Sequence, residues 1–237
     1  MAQSRSEWRG LDTLRRYRLI GRVTGAALFR YGCFAIMVWL TLVAESRPAP
    51  GPLPDFVLDH VPYVPGIDRW NYHLWLACYV PLALVFLGWD PRRFIRFMVT
   101  GGVLSVLRGV CIVLTGLGPV RVPDDNPARL AEPGMMSRAF FELVDPTGVF
   151  FRDSAQVYLT KDLFFSGHVA STFLLLLYVW PHRRLRLAML WLHAIVVASV
   201  FLSHLHYTID VVGAWAITFA LFVLREGWSG ATRGAPE

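Results

Sequence analysis

Residues 206–224 read HYTIDVVGAWAITFALFVL. Beyond Asp210 the run is apolar to its end, and its length suits a helix crossing the hydrocarbon core of a bilayer. It opens, however, on a histidine and a carboxylate. Residues four apart on a helix share a face one turn along, so the spacing puts Asp210 beside His206. Ionisable side chains at membrane depth are expensive and mark a functional site by default.

Working outward, five further apolar runs lie at about 25–44, 73–89, 97–118, 163–180 and 187–204. The last of these nearly touches 206–224, with a tight reversal around Ser203–Tyr207 between them. The chain of 237 residues is 55% hydrophobic, with a mean hydropathy of +0.45. That exceeds the usual globular share, and the excess is blocked into these runs. The expected fold is an all-α integral membrane protein, a bundle of six transmembrane helices. The expected organisation is a basic cytoplasmic N-terminal segment over 1–24, a six-span catalytic membrane domain over 25–224 and a cytoplasmic tail over 225–237.

Arginine sets the orientation. Arg5, Arg9, Arg15, Arg16, Arg18 and Arg22 precede the first run. Arg92, Arg93 and Arg96 lie between the second and third, Arg183, Arg184 and Arg186 between the fourth and fifth, and Arg225 and Arg233 in the tail. These are alternate loops, as six spans require, so the positive-inside rule puts both termini in the cytoplasm. Topology accounts for the formal charge of +6, so it does not argue for a nucleic-acid partner. The first run is long enough to span, which reads as an uncleaved anchor rather than a signal peptide. The arginine-rich, lysine-poor composition suggests a bacterial inner-membrane protein with its site facing the periplasm. Cys33, Cys78 and Cys111 each sit inside an apolar run. They form neither a disulfide framework nor a zinc pattern and read as small buried residues.

A second histidine, His168 in Phe165-Ser166-Gly167-His168, opens the fourth run. On the expected topology that run and the sixth both begin at the outer face, and Arg108 lies inside the third. Two imidazoles and a carboxylate suit acid–base or nucleophilic chemistry, with phosphoryl transfer the best candidate. Nothing in the pattern requires a metal or cofactor. The outer loop 119–162, rich in proline, is long for a compact bundle, and such loops are commonly functional.

Lys161-Asp162-Leu163-Phe164-Phe165-Ser166-Gly167-His168 and His204-Leu205-His206-Tyr207-Thr208-Ile209-Asp210-Val211-Val212 resemble the two catalytic motifs of the sphingomyelin synthase family. That family is a branch of the lipid phosphate phosphatase/phosphotransferase superfamily. Gly51-Pro52-Leu53-Pro54-Asp55 resembles its proline-rich motif. Leu107-Arg108 with Thr115-Gly116-Leu117-Gly118-Pro119 resembles its third-span motif. The resemblance covers about 50–224. It implies a catalytic triad of His168, His206 and Asp210. It also implies a phosphocholine or phosphoethanolamine headgroup passing from a glycerophospholipid, through a phosphohistidine, to a lipid alcohol, ceramide or diacylglycerol.

Each role has a physical rationale. His206 as nucleophile needs a neutral ring with its lone pair on phosphorus. Asp210 would fix that tautomer, and His168 would protonate the leaving alkoxide. Arg108 would neutralise phosphate oxygens, or else pair with Asp162 or a backbone carbonyl. Asp162 and Glu142 are the further substrate-binding candidates.

Two departures favour the synthase branch over the wider superfamily. Val200 stands where an arginine would follow Ser199, and Phe165 stands where a proline precedes Ser-Gly-His. The family's Cys-Gly before the aspartate is Thr160-Lys161, so Lys161 could contact phosphate or lie at the interface. His60, His73, His182 and His193 read as interfacial, His204 as pointing away from His206, and Asp55 as part of a rigid turn. Arg30 is assigned no chemistry. The alternative activity is hydrolysis, by a lipid phosphatase or phospholipase C-like enzyme in which water replaces the acceptor. A lipid-binding scaffold would be expected to carry a damaged triad, and this triad is intact.

Overall fold

The computed structural model describes residues 2–121, 125–145, 147 and 158–227. Pro123, Pro146, Arg152 and the tail from Trp228 lie outside the described residues, as do the side chains of Arg5, Arg9, Arg15, Arg69 and Cys78. Among the described residues the chain is all helical. Its elements are α1 (Ala2–Glu45), α2 (Phe56–His60), α3 (Ile67–Trp89), α4 (Pro91–Thr115), α5 (Asn126–Leu130), α6 (Met135–Val144), α7 (Gly167–Val179), α8 (Arg183–Leu202) and α9 (Thr208–Glu226).

Among the described residues, five helical segments are long and apolar enough to cross a membrane: Arg16–Glu45, Trp70–Trp89, Pro91–Thr115, Arg183–Leu202 and Thr208–Glu226. The expected fourth span is shorter than read. Only Gly167–Val179, 13 residues, is helical. The reason is local. The carbonyls of Asp162 and Phe165 accept from Arg108 rather than from a helical turn, and Ser166 caps the helix by accepting from the Val169 N–H. The third span begins earlier than read. Asp90 accepts from the Arg93 N–H and Pro91 opens the helix, while Gly116, at φ 55°, ends it.

The most extensive helix contact is between α1 and α4, and small residues explain it. Gly101, Ser105 and Gly109 recur every fourth position, the small-residue spacing that lets membrane helices approach closely. A Cβ at Gly109 would lie 3.0 Å from Leu40 Cδ1 and 3.1 Å from the Met37 backbone. One at Gly102 would meet Phe29 at 2.8 Å.

Helix α7 is the centre of the bundle. It packs on α3, α4, α8 and α9, and Val169, Leu174, Leu175 and Tyr178 on it are essentially inaccessible. Polar bonds cross the helices at its far end. The Tyr178 hydroxyl bonds Thr100 at 2.7 Å and donates to Glu226 at 2.7 Å, and Glu226 pairs with Arg96 at 3.2 Å. The first turn of this fixed helix carries His168.

Candidate active site

His206 is not on a helix. The reading of His206 and Asp210 as one helical face is corrected here. Helix α9 starts at Thr208 with Tyr207 as its N-cap, and Asp210 is its third residue. Asp210 Oδ2 accepts from the Tyr207 N–H at 3.0 Å and bonds His206 Nδ1 at 3.3 Å. The carboxylate therefore closes the helix start and engages the preceding imidazole with the same oxygen. A carboxylate in the first turn also suits the positive end of the helix dipole. With the proton on Nδ1 facing Asp210, the ring's lone pair is on Nε2. Asp210 is fully buried and His206 is nearly so.

The two histidine segments meet through backbone. The Ser166 N–H donates to the Asp210 carbonyl at 3.1 Å, tying the start of α7 to the start of α9. His168 lies within electrostatic reach of His206, Arg108 and Asp162. Its ring meets the edge of Trp75 at a centroid distance of 5.6 Å.

Arg108 is heavily engaged. Its Nε donates to the Phe165 carbonyl at 2.6 Å and a terminal nitrogen donates to the Asp162 carbonyl at 3.1 Å. Its other terminal nitrogen is 2.8 Å from Asp162 Oδ1 and 3.6 Å from Met37 Sδ. The two partners weighed for it, Asp162 and a backbone carbonyl, are both present. Gly167 makes room for this guanidinium, which a Cβ there would meet at 3.1 Å.

Arg108, Asp162, Glu142 and His168 line one cavity between α1, α3, α4, α6 and α7. Its empty volume is about 1170 Å³, including its opening, and its walls are largely apolar: Phe34, Val38, Leu104, Leu143 and Leu174. Glu142 accepts from Arg138 at 2.9 Å and from the Tyr158 hydroxyl at 2.8 Å. His206 and Asp210 are not among the lining residues. Thr115 does not reach the site, because its hydroxyl bonds back to the Cys111 carbonyl.

Several residues belong to the site's frame in ways the pattern of apolar runs did not signal. Asp55 is a double cap rather than part of a plain turn. Its Oδ1 accepts from the Val57 and Leu58 N–H groups, starting α2, and its two oxygens accept from the Thr208 N–H and hydroxyl, starting α9. Burial pushes its carboxyl up, but these hydrogen bonds outweigh it and hold the group below its ordinary value. Tyr207 accepts from the Leu53 N–H at 3.0 Å and donates to the Gly118 carbonyl at 3.1 Å. The proline-rich segment, the end of the third span and the last motif therefore converge on one phenol.

Lys161 is buried. Its ammonium donates to the Glu45 and Arg47 carbonyls, and the buried Glu45 carboxylate accepts from the Lys161 and Thr160 N–H groups. His193 is not interfacial but buried in the bundle. Trp215 donates to its Nε2 at 2.9 Å, so Nδ1 carries the proton facing Thr172 at 2.8 Å. Thr172 in turn donates to the His168 carbonyl at 2.8 Å. His204, at φ 49°, bonds the Val61 carbonyl and is not a lining residue of the cavity. No group of three His, Cys, Asp or Glu side chains among the described residues is placed to hold a metal ion.

Residues 161–226 match the family model described as PAP2 superfamily C-terminal. The chain is similar to phosphatidylcholine:ceramide cholinephosphotransferase 1 of Caenorhabditis elegans, 28% identical over 190 residues, which are 74% of this chain and 39% of the relative. The human protein of the same name is 27% identical over 224 residues, 85% of this chain and 51% of the relative. The rat protein matches to the same extent. The chain spans about half or less of the length of these curated relatives.

Proposed function

We propose, from the chain's kinship with the sphingomyelin synthases, that it is a membrane lipid phosphotransferase. It moves a phosphocholine or phosphoethanolamine headgroup from a glycerophospholipid to ceramide or diacylglycerol. One observation carries the reading: a histidine braced by a buried carboxylate is tied through backbone to the segment of a second histidine, which lines a mostly apolar cavity. The relatives' name, phosphatidylcholine:ceramide cholinephosphotransferase, supports the same class.

In the proposed first half-reaction, His206 Nε2 attacks phosphorus and the phosphorus–oxygen bond to diacylglycerol breaks. Protonated His168 gives its proton to the leaving alkoxide. Asp210 stabilises the cation on the phosphorylated ring. In the second half, neutral His168 takes the proton of the acceptor hydroxyl. That oxygen attacks phosphorus, the nitrogen–phosphorus bond breaks and His206 is restored. Arg108 holds the phosphate end of the cavity electropositive, with Asp162 fixing its direction. Glu142 and Asp162 offer carboxylates to the headgroup cation. The arginine-bearing loops lie at the opposite ends of the helices, so the site faces the non-cytoplasmic side, the periplasm in a bacterial inner membrane, with both termini in the cytoplasm.

Purified protein in mixed micelles with headgroup-labelled phosphatidylcholine and phosphatidylethanolamine, with and without ceramide, tests this. The expected result is acceptor-dependent transfer that His206→Ala abolishes. Release of water-soluble headgroup phosphate irrespective of acceptor would assign the triad to hydrolysis instead. No headgroup movement at all would overturn the proposal.

A further inference from the structure

Of the two arginines lining the cavity among the described residues, Arg30 is the one the proposed reaction does not use. It lies on α1, inside the span Arg16–Glu45, and lines the same cavity as His168. Its guanidinium rests on α4 so closely that a Cβ at Gly101 would be 2.6 Å from one terminal nitrogen. That nitrogen is buried and without a hydrogen-bond partner, and Arg30 has no carboxylate at ion-pair distance among the described residues. Its guanidinium also lies within hydrogen-bonding reach of the Tyr79 hydroxyl. Arg30 as a whole is half-buried, but an always-charged group at membrane depth with a buried, unmet donor is costly unless something else satisfies it.

Three measures give its depth. On α1, Arg30 is seven residues before Met37, which touches Arg108. On α4, Gly101 is seven residues before Arg108. Seven helical residues rise ~10 Å. On α3, Tyr79 stacks on Trp75 at 5.2 Å, and Trp75 meets His168 at 5.6 Å. Arg30 and Tyr79 therefore form a polar floor two turns below the phosphate end, with a largely apolar wall, broken by Ser105, between. A lipid whose phosphorus or reacting hydroxyl sits at His168 has its ester or amide carbonyls in that interval, one backbone and one hydrogen bond away.

We propose that Arg30, braced by Tyr79, binds a carbonyl oxygen of the lipid substrate and so sets how deeply the lipid seats. This rests on the proposed phosphotransferase reading for the position of the reacting end. The chemistry, a carbonyl acceptor beneath a polar head, is shared by the esters of a glycerophospholipid and the amide of a ceramide.

The test is equilibrium binding to the 237-residue chain in detergent, which needs no turnover. One arm compares diacyl with dialkyl-ether phosphatidylcholine of equal chain length. The other compares ceramide with an N-alkyl analogue lacking the amide carbonyl. Wild type is expected to bind the carbonyl-bearing lipid about tenfold more tightly in at least one arm, the worth of one hydrogen bond from a charged donor. Arg30→Met is expected to bind both lipids of that arm alike, at the wild-type affinity for the carbonyl-free one. The arm that responds identifies the source. A wild-type preference retained in Arg30→Met, no preference in either arm, or an equal loss of carbonyl-free binding would overturn the proposal. Should Arg30→Met fail to fold, Tyr79→Phe is expected to lower the preference at least threefold, and an unchanged preference would overturn it. Wild-type protein that transfers no headgroup yet keeps an Arg30-dependent preference would sink the reaction and leave this subsite standing.

Discussion

Asp55 and Thr208 are 153 residues apart and share two hydrogen bonds: Asp55 Oδ2 accepts from the Thr208 N–H at 2.6 Å and Oδ1 from its hydroxyl at 2.8 Å. This carboxylate holds the first turn of the helix whose third residue is Asp210. Asp55→Ala is expected to cost about 1 kcal/mol as a lost cap. It is also expected to lower kcat about tenfold by loosening His206, with KM little changed. Thermal unfolding in detergent and transfer kinetics measure the two effects separately.

The same bonds give a pH dependence. They hold the folded pKa of Asp55 below its ordinary value of 3.8. The stability they contribute is thus fully present above that value and is lost as pH falls below it through the folded pKa. Between pH 5 and about 3 wild type is expected to lose more melting temperature than Asp55→Asn. Equal losses would mean that these bonds are not sensed as charge.

Asp210→Asn is expected to keep the fold, since an amide oxygen can still accept from the Tyr207 N–H. It removes the negative charge that stabilises the cationic His206 ring. In a serine protease triad the equivalent change costs about 10⁴ in rate, and a loss of about 10³–10⁴ is expected here. In His168→Ala, which slows both half-reactions, protein given headgroup-labelled lipid and quenched in SDS at alkaline pH is expected to carry acid-labile label. Adding His206→Ala is expected to remove it.

Arg108 is bound to Asp162, Phe165 and Met37, so its removal acts on structure as well as on substrate. Arg108→Met is expected to destabilise by about 1–3 kcal/mol, because it leaves the half-buried Asp162 carboxylate and two backbone carbonyls without their donor. Arg108→Lys keeps the charge without the planar fork, and is expected to retain most of the stability while losing lipid binding. Melting temperature and phospholipid binding are the paired readouts.

Gly118 is pinned by backbone. A Cβ there would lie 2.0 Å from the Pro50 carbonyl oxygen and 2.9 Å from that of Gly51, and neither can swing aside as a side chain does. Gly118→Ala is expected to release the Tyr207 hydroxyl and to lower both stability and activity. Gly116→Ala, where nothing lies within 4 Å, meets only the strain of its left-handed backbone, and is expected to cost about 1 kcal/mol. Unfolding curves of the two variants compare the effects.

Much of the fold was legible because hydrophobic runs and loop charge are local properties. A run of bilayer length must satisfy its backbone internally and so becomes a helix, whatever its neighbours do. The fourth run misled because Asp162 and Phe165 give their carbonyls to Arg108, 54 and 57 residues away in sequence. His193 misled because its partners Thr172 and Trp215 lie on two other helices, and no period in α8 announces them.

Taken alone, the chain determined the all-helical membrane class, the arginine-bearing loops and the candidacy of His168, His206 and Asp210, since each depends on residue type and short spacing. Tertiary structure decided which imidazole nitrogen Asp210 engages, that Asp55, Tyr207 and Gly118 frame the same turn, and that Arg30 and Arg108 stand two turns apart along one cavity. The first turns on where α9 begins, and the others join residues far apart in sequence that only packed helices bring together.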